Sequence, residues 1–168
     1  MKKIVLVALA VLLVGFGPWR APVAVAASVT QYVCRDVYLQ DLGARGSTFR
    51  PVSCGWDFSA ADQYLVLYAQ IDRVDRDMVM TSELVDPTGA TVHTERLLLR
   101  ERVGSILRYT VVWVLPLSVG SGQLPDRLRR YDAIEPEGAP ARERLGEWQW
   151  KITLASGTTA TARFMLKP

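Results

Sequence analysis

The sequence predicts an all-β protein, built as an antiparallel sandwich of about seven short strands. In several stretches apolar residues recur at every second position, which is the spacing of a strand with one buried face. Turn-forming residues separate these stretches, and no stretch keeps a helical apolar stripe over three turns. Short alternating segments joined by turns are typical of two packed antiparallel sheets.

The N-terminal segment, residues 1–26, predicts a cleaved secretory signal peptide. Lys2 and Lys3 precede an apolar run of 14 residues, 4–17, and a small-residue cleavage pattern ends at Ala26. A membrane-spanning helix needs about 20 apolar residues, so we favour cleavage over retention as an anchor. We therefore expect an exported protein, periplasmic or extracellular, with no stable membrane insertion after cleavage and a single domain over residues 27–168.

The charge balance argues against a nucleic-acid-binding protein. The leader holds three of the 20 basic side chains and none of the 17 acidic ones, so 17 of each remain in the other 142 residues. A neutral domain has no net basic face with which to neutralise phosphates. Its length and apolar content are sufficient for a globular core.

The two cysteines, Cys34 and Cys54, predict a structural disulfide. Both follow the leader, and export implies an oxidising compartment in which paired cysteines are usually bonded. A redox or metal pair would need close spacing or further ligands, but there is no Cys-x-x-Cys and His93 is the only histidine. Closing a loop of about 20 residues stabilises a fold by roughly 3 kcal/mol.

The strands follow in chain order. We expect a less regular strand over residues 30–37 and a clear one over 63–72. The second directs four residues to one face: Leu65, Leu67, Ala69 and Ile71. Tyr64 and Tyr68 lie on its other face, where we favour half-exposed strand residues over a sugar- or protein-binding surface.

Three more strands are predicted over residues 78–85, 91–101 and 107–115. Asp86-Pro87-Thr88-Gly89 separates the first two as a turn, because Pro fixes φ and Gly permits positive φ. In the third strand a single face holds five residues: Leu107, Tyr109, Val111, Trp113 and Leu115.

The C-terminal end predicts a hairpin with one apolar face. Its strands span residues 148–154 and 160–166, around a turn at Ser156-Gly157. Trp148 and Trp150 share a face with Ile152, so we expect them in the core.

Residues 118–144 fit no strand and are rich in Gly, Pro and charges of both signs. Residues 124–131 predict one short helix. A loop of this length is either functional or mobile, and we favour a solvated flexible insertion over a binding loop. The residues of the alternative, a partner-binding loop, are Arg127, Arg129, Arg130 and Tyr131.

Several short motifs follow one another along the chain: Phe58-x3-Asp62, Asp86-Pro87-x-Gly89, Trp113, Gly146-x-Trp148, Gly157 and Phe164. In this order the chain resembles bacterial exported immunoglobulin-like β-sandwich domains of unassigned function. The resemblance covers residues 58–166 and implies the fold. It implies no site residue, because each motif mainly encodes a turn or a core position. The chain departs from the pattern at Leu145, where a proline is common, and in the length of residues 118–144.

Reactive groups are sparse, and we predict no catalytic, cofactor or metal site. His93 lies in a predicted strand, and no Gly-x-Ser-x-Gly turn surrounds a serine. Asp72, Asp75 and Asp77 have the hard oxygens that calcium prefers, but arginines lie between them, so we favour a solvated turn.

These observations predict a non-enzymatic binding or scaffolding module of the bacterial cell envelope or extracellular space, with an unknown envelope protein or glycan as its partner. The alternative is a hydrolase of envelope polysaccharide or peptide, using a carboxylate pair that the sequence does not identify. A concave pocket with two close carboxylates, or His93 beside a nucleophile, would favour the hydrolase.

Overall fold

The structure is a computed structural model that describes residues 27–41, 47–101 and 108–168. These residues form ten strands: β1 (Ser28–Asp41), β2 (Ser47–Cys54), β3 (Asp57–Ser59), β4 (Tyr64–Asp72), β5 (Met78–Val85), β6 (Thr91–Leu99), β7 (Arg108–Pro116), β8 (Asp132–Ala133), β9 (Gly146–Leu154) and β10 (Thr159–Lys167). Two 3-10 helices, Ser121–Gln123 and Ala141–Glu143, lie between β7 and β9. None of the helices in these ranges is long and apolar enough to cross a membrane. The predicted signal peptide and Leu107 lie outside the described residues.

The strands form two five-stranded sheets, ordered β2-β1-β4-β7-β8 and β3-β10-β9-β5-β6. Neighbours are antiparallel except at one edge of each sheet, where β8 runs parallel to β7 and β3 runs parallel to β10. β4 pairs with β7, and β5, β9 and β10 are neighbours in the other sheet, as strands B–E and C–F–G are in the immunoglobulin sandwich. The predicted immunoglobulin-like sandwich is confirmed, with more strands than expected and a parallel pair at one edge of each sheet.

Three buried tryptophans occupy the main core between the sheets. Trp113 meets Trp150 edge-on, with ring centroids 5.6 Å apart, and Trp148 stacks on Phe164 at 6.1 Å. The indole N–H of Trp150 donates to Ser82 Oγ at 2.9 Å, so its burial leaves no unpaired donor. The prediction that Trp148 and Trp150 belong to the core is confirmed.

Strand β4 is buried on both faces, so the prediction of one buried face is wrong. Its four predicted core residues do lie in the main core. Val66 and Tyr68, on the opposite face, belong to a second apolar cluster outside the first sheet. Tyr68 is only 1% exposed, so it is a core residue and not the half-exposed tyrosine that the sequence predicts.

Residues 118–144, called here the cover segment, pack over that outer face of the first sheet. Leu124 and Leu128 are buried in the second cluster, while Ile134 and Ala141 reach the main core. Residues 124–131 form hydrogen-bonded turns instead of the predicted helix, and Leu128 N donates to the Pro125 carbonyl at 2.7 Å. The prediction of a solvated insertion is wrong, because these apolar side chains are buried. The sequence gives no sign of this, since they stand singly among charged residues and follow no period.

The disulfide between Cys34 and Cys54 is present and joins neighbouring strands of one sheet, β1 and β2. The two Cα atoms lie 3.8 Å apart. The predicted pairing is confirmed, and its position marks the end of the β1–β2 ladder.

Candidate functional site

One side of the sandwich is only half closed. Strand β2 leaves β1 at Cys54, and the chain crosses to the other sheet, where β3 pairs with Met165 to Lys167 of β10. On this side, residues 28–32 of β1 and 159–164 of β10 have no strand beside them within the described part of the chain. The two uncovered strand edges bound a groove of about 660 Å³, called here the edge groove.

Aromatic side chains stand at the rim of the edge groove, and small ones line its inner wall. Trp56, in the crossing between β2 and β3, is 75% exposed, and Tyr32 of β1 is 43% exposed. Val29 and Ala162 pack against the main core from the groove side, and Ala160 shares the face of Ala162. Small alanines on an inward face leave room between the sheets, which gives the groove its depth.

The polar groups of the groove are few. The Gln31 amide donates from Nε2 to the Trp150 carbonyl at 3.2 Å, while its buried Oε1 has no hydrogen-bond partner. Among the described residues that line the groove, Arg163 is the only charged one, and its Nη1 lies 3.6 Å from Glu147 Oε1 at the surface. None of the described residues that line the groove is a carboxylate.

Backbone groups of β10 also face the edge groove. Met165 N donates to the Trp56 carbonyl at 2.6 Å, away from β9. Since N–H and C=O directions alternate along an antiparallel strand, Thr159, Thr161 and Arg163 also direct theirs away from β9. These three residues lie beyond the reach of β3, and their main-chain donors and acceptors are unpaired in the ladders of the sheet.

The same argument applies to β1. The Val33 carbonyl accepts a bond from Gly55 N at 3.0 Å, on the side away from β4. Val29 and Gln31 have the same parity, so their main-chain groups point into the open side. The groove is thus bounded by two strand edges that can still form hydrogen bonds.

The predicted partner-binding residues lie elsewhere, on the cover segment, and each has an intramolecular contact. Arg127 pairs with Asp36 at 2.6 Å, and this hydrogen bond raises the pKa of Arg127. Arg129 donates to the Leu124 carbonyl at 2.9 Å, and Arg130 donates to the Arg127 carbonyl at 3.0 Å. Tyr131 is half-buried and meets Phe49 edge-on at 5.8 Å. The contacts of Arg127 and Tyr131 fasten the cover segment to β1 and β2, whereas those of Arg129 and Arg130 lie within the segment itself. A role of these four residues in binding stays a prediction.

A second groove, of about 450 Å³, lies between residues 116–121 and 134–142. Glu135 is the only carboxylate among its described lining residues, so in the part of the chain that the structure describes neither groove brings two carboxylates together. His93 lies 3.9 Å from Glu95, which in turn accepts a 2.5 Å hydrogen bond from the Trp113 indole. The acidic neighbour of the histidine is therefore a carboxylate that already accepts a hydrogen bond from the indole.

Two of the three aspartates at and after the end of β4 form separate ion pairs, Asp72 with Arg108 and Asp77 with Arg100. Asp72 accepts from Arg108 at 2.5 Å, and Asp77 accepts from the Glu101 backbone N–H at 2.7 Å. Within the ranges that the structure describes, no three metal-binding side chains come together.

Sequence reasoning missed Trp56 and the two open edges. A signal for Trp56 was present, because the segment Cys54-Gly55-Trp56-Asp57 places a large aromatic outside every alternating stretch. The edges have no such signal, since they depend on where the chain crosses between the sheets.

No protein-family model matches the sequence, and no curated protein matches it. Similar solved structures include an immunoglobulin-like protein from Pseudomonas aeruginosa, with 10% identity, 86% coverage of this chain, 99% coverage of that chain and a TM-score of 0.37. A β-glucosidase from Listeria innocua in complex with glucose has 11% identity, 84% coverage of this chain and a TM-score of 0.39. The same enzyme with gluconolactone has 10% identity, 84% coverage and a TM-score of 0.38. This chain spans 16% of the β-glucosidase, and we transfer no function from these likenesses.

Proposed function

We propose that the protein is an exported, non-enzymatic binding module of the bacterial cell envelope or extracellular space, and that it holds its partner in the edge groove. The observation that carries this proposal is the exposure of Trp56 at the rim of a groove bounded by two open strand edges. Tryptophan is enriched at protein interfaces, and its burial by a partner contributes strongly to binding. Exposed main-chain groups beside it add directional hydrogen bonds.

Export is supported by the leader and by the disulfide. The leader has the three parts of a signal peptide, and the Cys34–Cys54 bond requires an oxidising compartment to persist. Mass spectrometry of the exported protein should give an N-terminus at Ala27 or Ser28. An intact Met1 on a membrane-bound form would contradict this part of the proposal.

Binding through the edge groove is tested with isolated envelopes. Secreted protein is mixed with the envelope fraction of its own cell, and the co-sedimenting fraction is measured. We expect Trp56→Ala to weaken binding about tenfold or more, as at an interface hot spot. Leu98→Ala is the matched control, because Leu98 is also an exposed apolar residue but lies on β6, outside the groove lining. Equal sedimentation of the wild type and Trp56→Ala would refute the proposed site.

A further inference from the structure

We infer that the partner is an extended peptide segment, which adds as a new strand to the open edge of β10. This inference rests on the proposed function, because it specifies what the edge groove binds. It commits to a peptide, and a glycan in the same groove is an outcome that the experiments below distinguish.

The backbone of β10 provides the first argument. Thr159, Thr161 and Arg163 direct their N–H and C=O groups into the groove, in line with the part of the same edge that β3 occupies. Unpaired main-chain groups in a row are a template for another strand. A peptide in extended form satisfies them in sequence and continues the edge that β3 begins, which is the β-augmentation mode of recognition.

The side chains provide the second argument. An added strand directs alternate side chains between the sheets and the others outward. The inward positions would lie beside Ala160 and Ala162 on the same face and near Val29 of β1, where small side chains leave the space of the groove. The structure therefore favours apolar residues at every second position of the peptide.

The charge of the groove provides the third argument. Arg163 is exposed, its contact with Glu147 is 3.6 Å long, and the described lining residues include no carboxylate. Opposite charges on neighbouring strands attract, so the outward positions of the peptide favour an acidic residue opposite Arg163. Trp56 stands at the end of the groove where β3 begins, and would pack on the end of the peptide.

The probe is a synthetic peptide with the sequence Thr-Val-Thr-Val-Glu-Val-Thr, titrated into the secreted protein and followed by tryptophan fluorescence. Two further peptides are N-methylated at every second amide, one in each phase, so that side chains are kept and donors are lost. An added strand turns one set of its amides toward β10. We expect the wild-type protein to bind the first peptide, and at least one methylated peptide to bind about tenfold more weakly. Binding that neither methylation changes would overturn the inference.

On the protein side, Thr161→Pro removes an edge donor that no strand of its own sheet uses, and proline is tolerated at such positions. Thr161→Val is the matched control, because it keeps the N–H. We expect Thr161→Pro to weaken the peptide about tenfold and Thr161→Val to bind like the wild type. Because the methylated peptides test the same donors without altering the protein, a misfolded proline variant leaves the inference testable.

The envelope assay separates the two proposals. Protease treatment of the envelopes should abolish the Trp56-dependent sedimentation, and digestion of their polysaccharides should not. If Trp56-dependent sedimentation instead survives protease, or no test peptide binds, a peptide strand is excluded and the binding module stands. If Trp56→Ala sediments like the wild type, the proposed function itself fails.

Discussion

At the scale of single residues, the buried carboxylate of Asp86 holds the β5–β6 turn to the cover segment. Its Oδ1 accepts bonds from the Thr88 hydroxyl at 2.6 Å and from the Thr88 and Ala90 N–H groups. Its Oδ2 accepts from Arg144 at 2.8 Å, and the same guanidinium donates to the Glu137 carbonyl. The hydrogen bond from the Thr88 hydroxyl is the largest cause of the lowered pKa of Asp86, and the backbone and Arg144 bonds act in the same direction.

The stability conferred by Asp86 should depend on pH. A carboxyl whose folded pKa lies below its ordinary value of 3.8 stabilises the fold above that pH, and the stabilisation is lost as the pH falls through the folded value. Thermal unfolding of Asp86→Asn should therefore give a Tm well below that of the wild type at neutral pH, and a smaller difference below about pH 4. Asp75→Asn serves as the control, since Asp75 is exposed and outside the turn. A Tm difference independent of pH would count against a role for the charge.

Trp150 should be a pure packing residue. It is fully buried, contacts Trp113 and donates to Ser82. Replacing it with Ala should lower the free energy of unfolding by about 3–5 kcal/mol, measured by urea denaturation. Loss of envelope binding at an unchanged Tm would instead place Trp150 in a recognition surface.

At the scale of elements, the cover segment is part of the core, and its removal should be costly. The solvated insertion that the sequence favours implies that replacing residues 122–141 with a short Gly/Ser linker leaves the free energy of unfolding within about 1–2 kcal/mol of the wild type, because loop closure entropy changes slowly with length. The structure reverses this prediction, since Leu124, Leu128 and Ile134 are buried and would be lost. Each contributes about 1.5–3 kcal/mol, so we expect the shortened protein to lose cooperative thermal unfolding. A sharp transition near the wild-type Tm would contradict this expectation.

A point substitution gives a finer test of how the cover segment packs on the first sheet. Leu128→Ala should lower the free energy of unfolding by about 2–5 kcal/mol, because Leu128 is fully enclosed by the second cluster. Arg130→Ala, two residues away at the surface, should change it by no more than about 0.5 kcal/mol. Urea denaturation of the two variants measures both values. Equal effects would mean that Leu128 is not packed in a core between the cover segment and the first sheet.

Strands with regular alternation could be predicted from the sequence, and others could not. The C-terminal hairpin, β4, β5 and β7 follow their predicted positions because every second residue packs on the same core. β3 and β8 have three and two residues, too few to show a period. In the cover segment single leucines stand among charged residues. The edge groove arises where the chain crosses from β2 in one sheet to β3 in the other. Both are decided by tertiary packing, which local patterns do not encode.

At the scale of the whole molecule, the two long sides of the sandwich differ. On one side β8 extends the first sheet beyond β7, and Ile134 N donates to the Val114 carbonyl at 2.8 Å, so the cover segment closes the main core there. On the other side a single crossing segment joins the sheets and closes only half of the gap. In the open half the sheets are bridged by single hydrogen bonds, from Gln31 Nε2 to the Trp150 carbonyl and from Thr158 Oγ1 to the Ala27 carbonyl, both at 3.2 Å. No strand ladder closes that half within the described chain, and this is why we place the partner there.

The disulfide should set both the stability of the sandwich and the shape of its open side. It joins β1 to β2 at the residue where the chain leaves the first sheet, and Cys54 itself lines the edge groove. Reduction should lower the free energy of unfolding by about 3 kcal/mol, from loop entropy returned to the unfolded chain. It should also speed amide hydrogen exchange in β3, because the crossing would no longer be anchored beside β1.

The double variant Cys34→Ala/Cys54→Ala is the control and should not respond to reductant. Two free thiols in the denatured exported protein would show that the bond does not form, and unchanged exchange in β3 after reduction would show that the crossing is held by its own contacts, such as the bond from Met165 N to the Trp56 carbonyl.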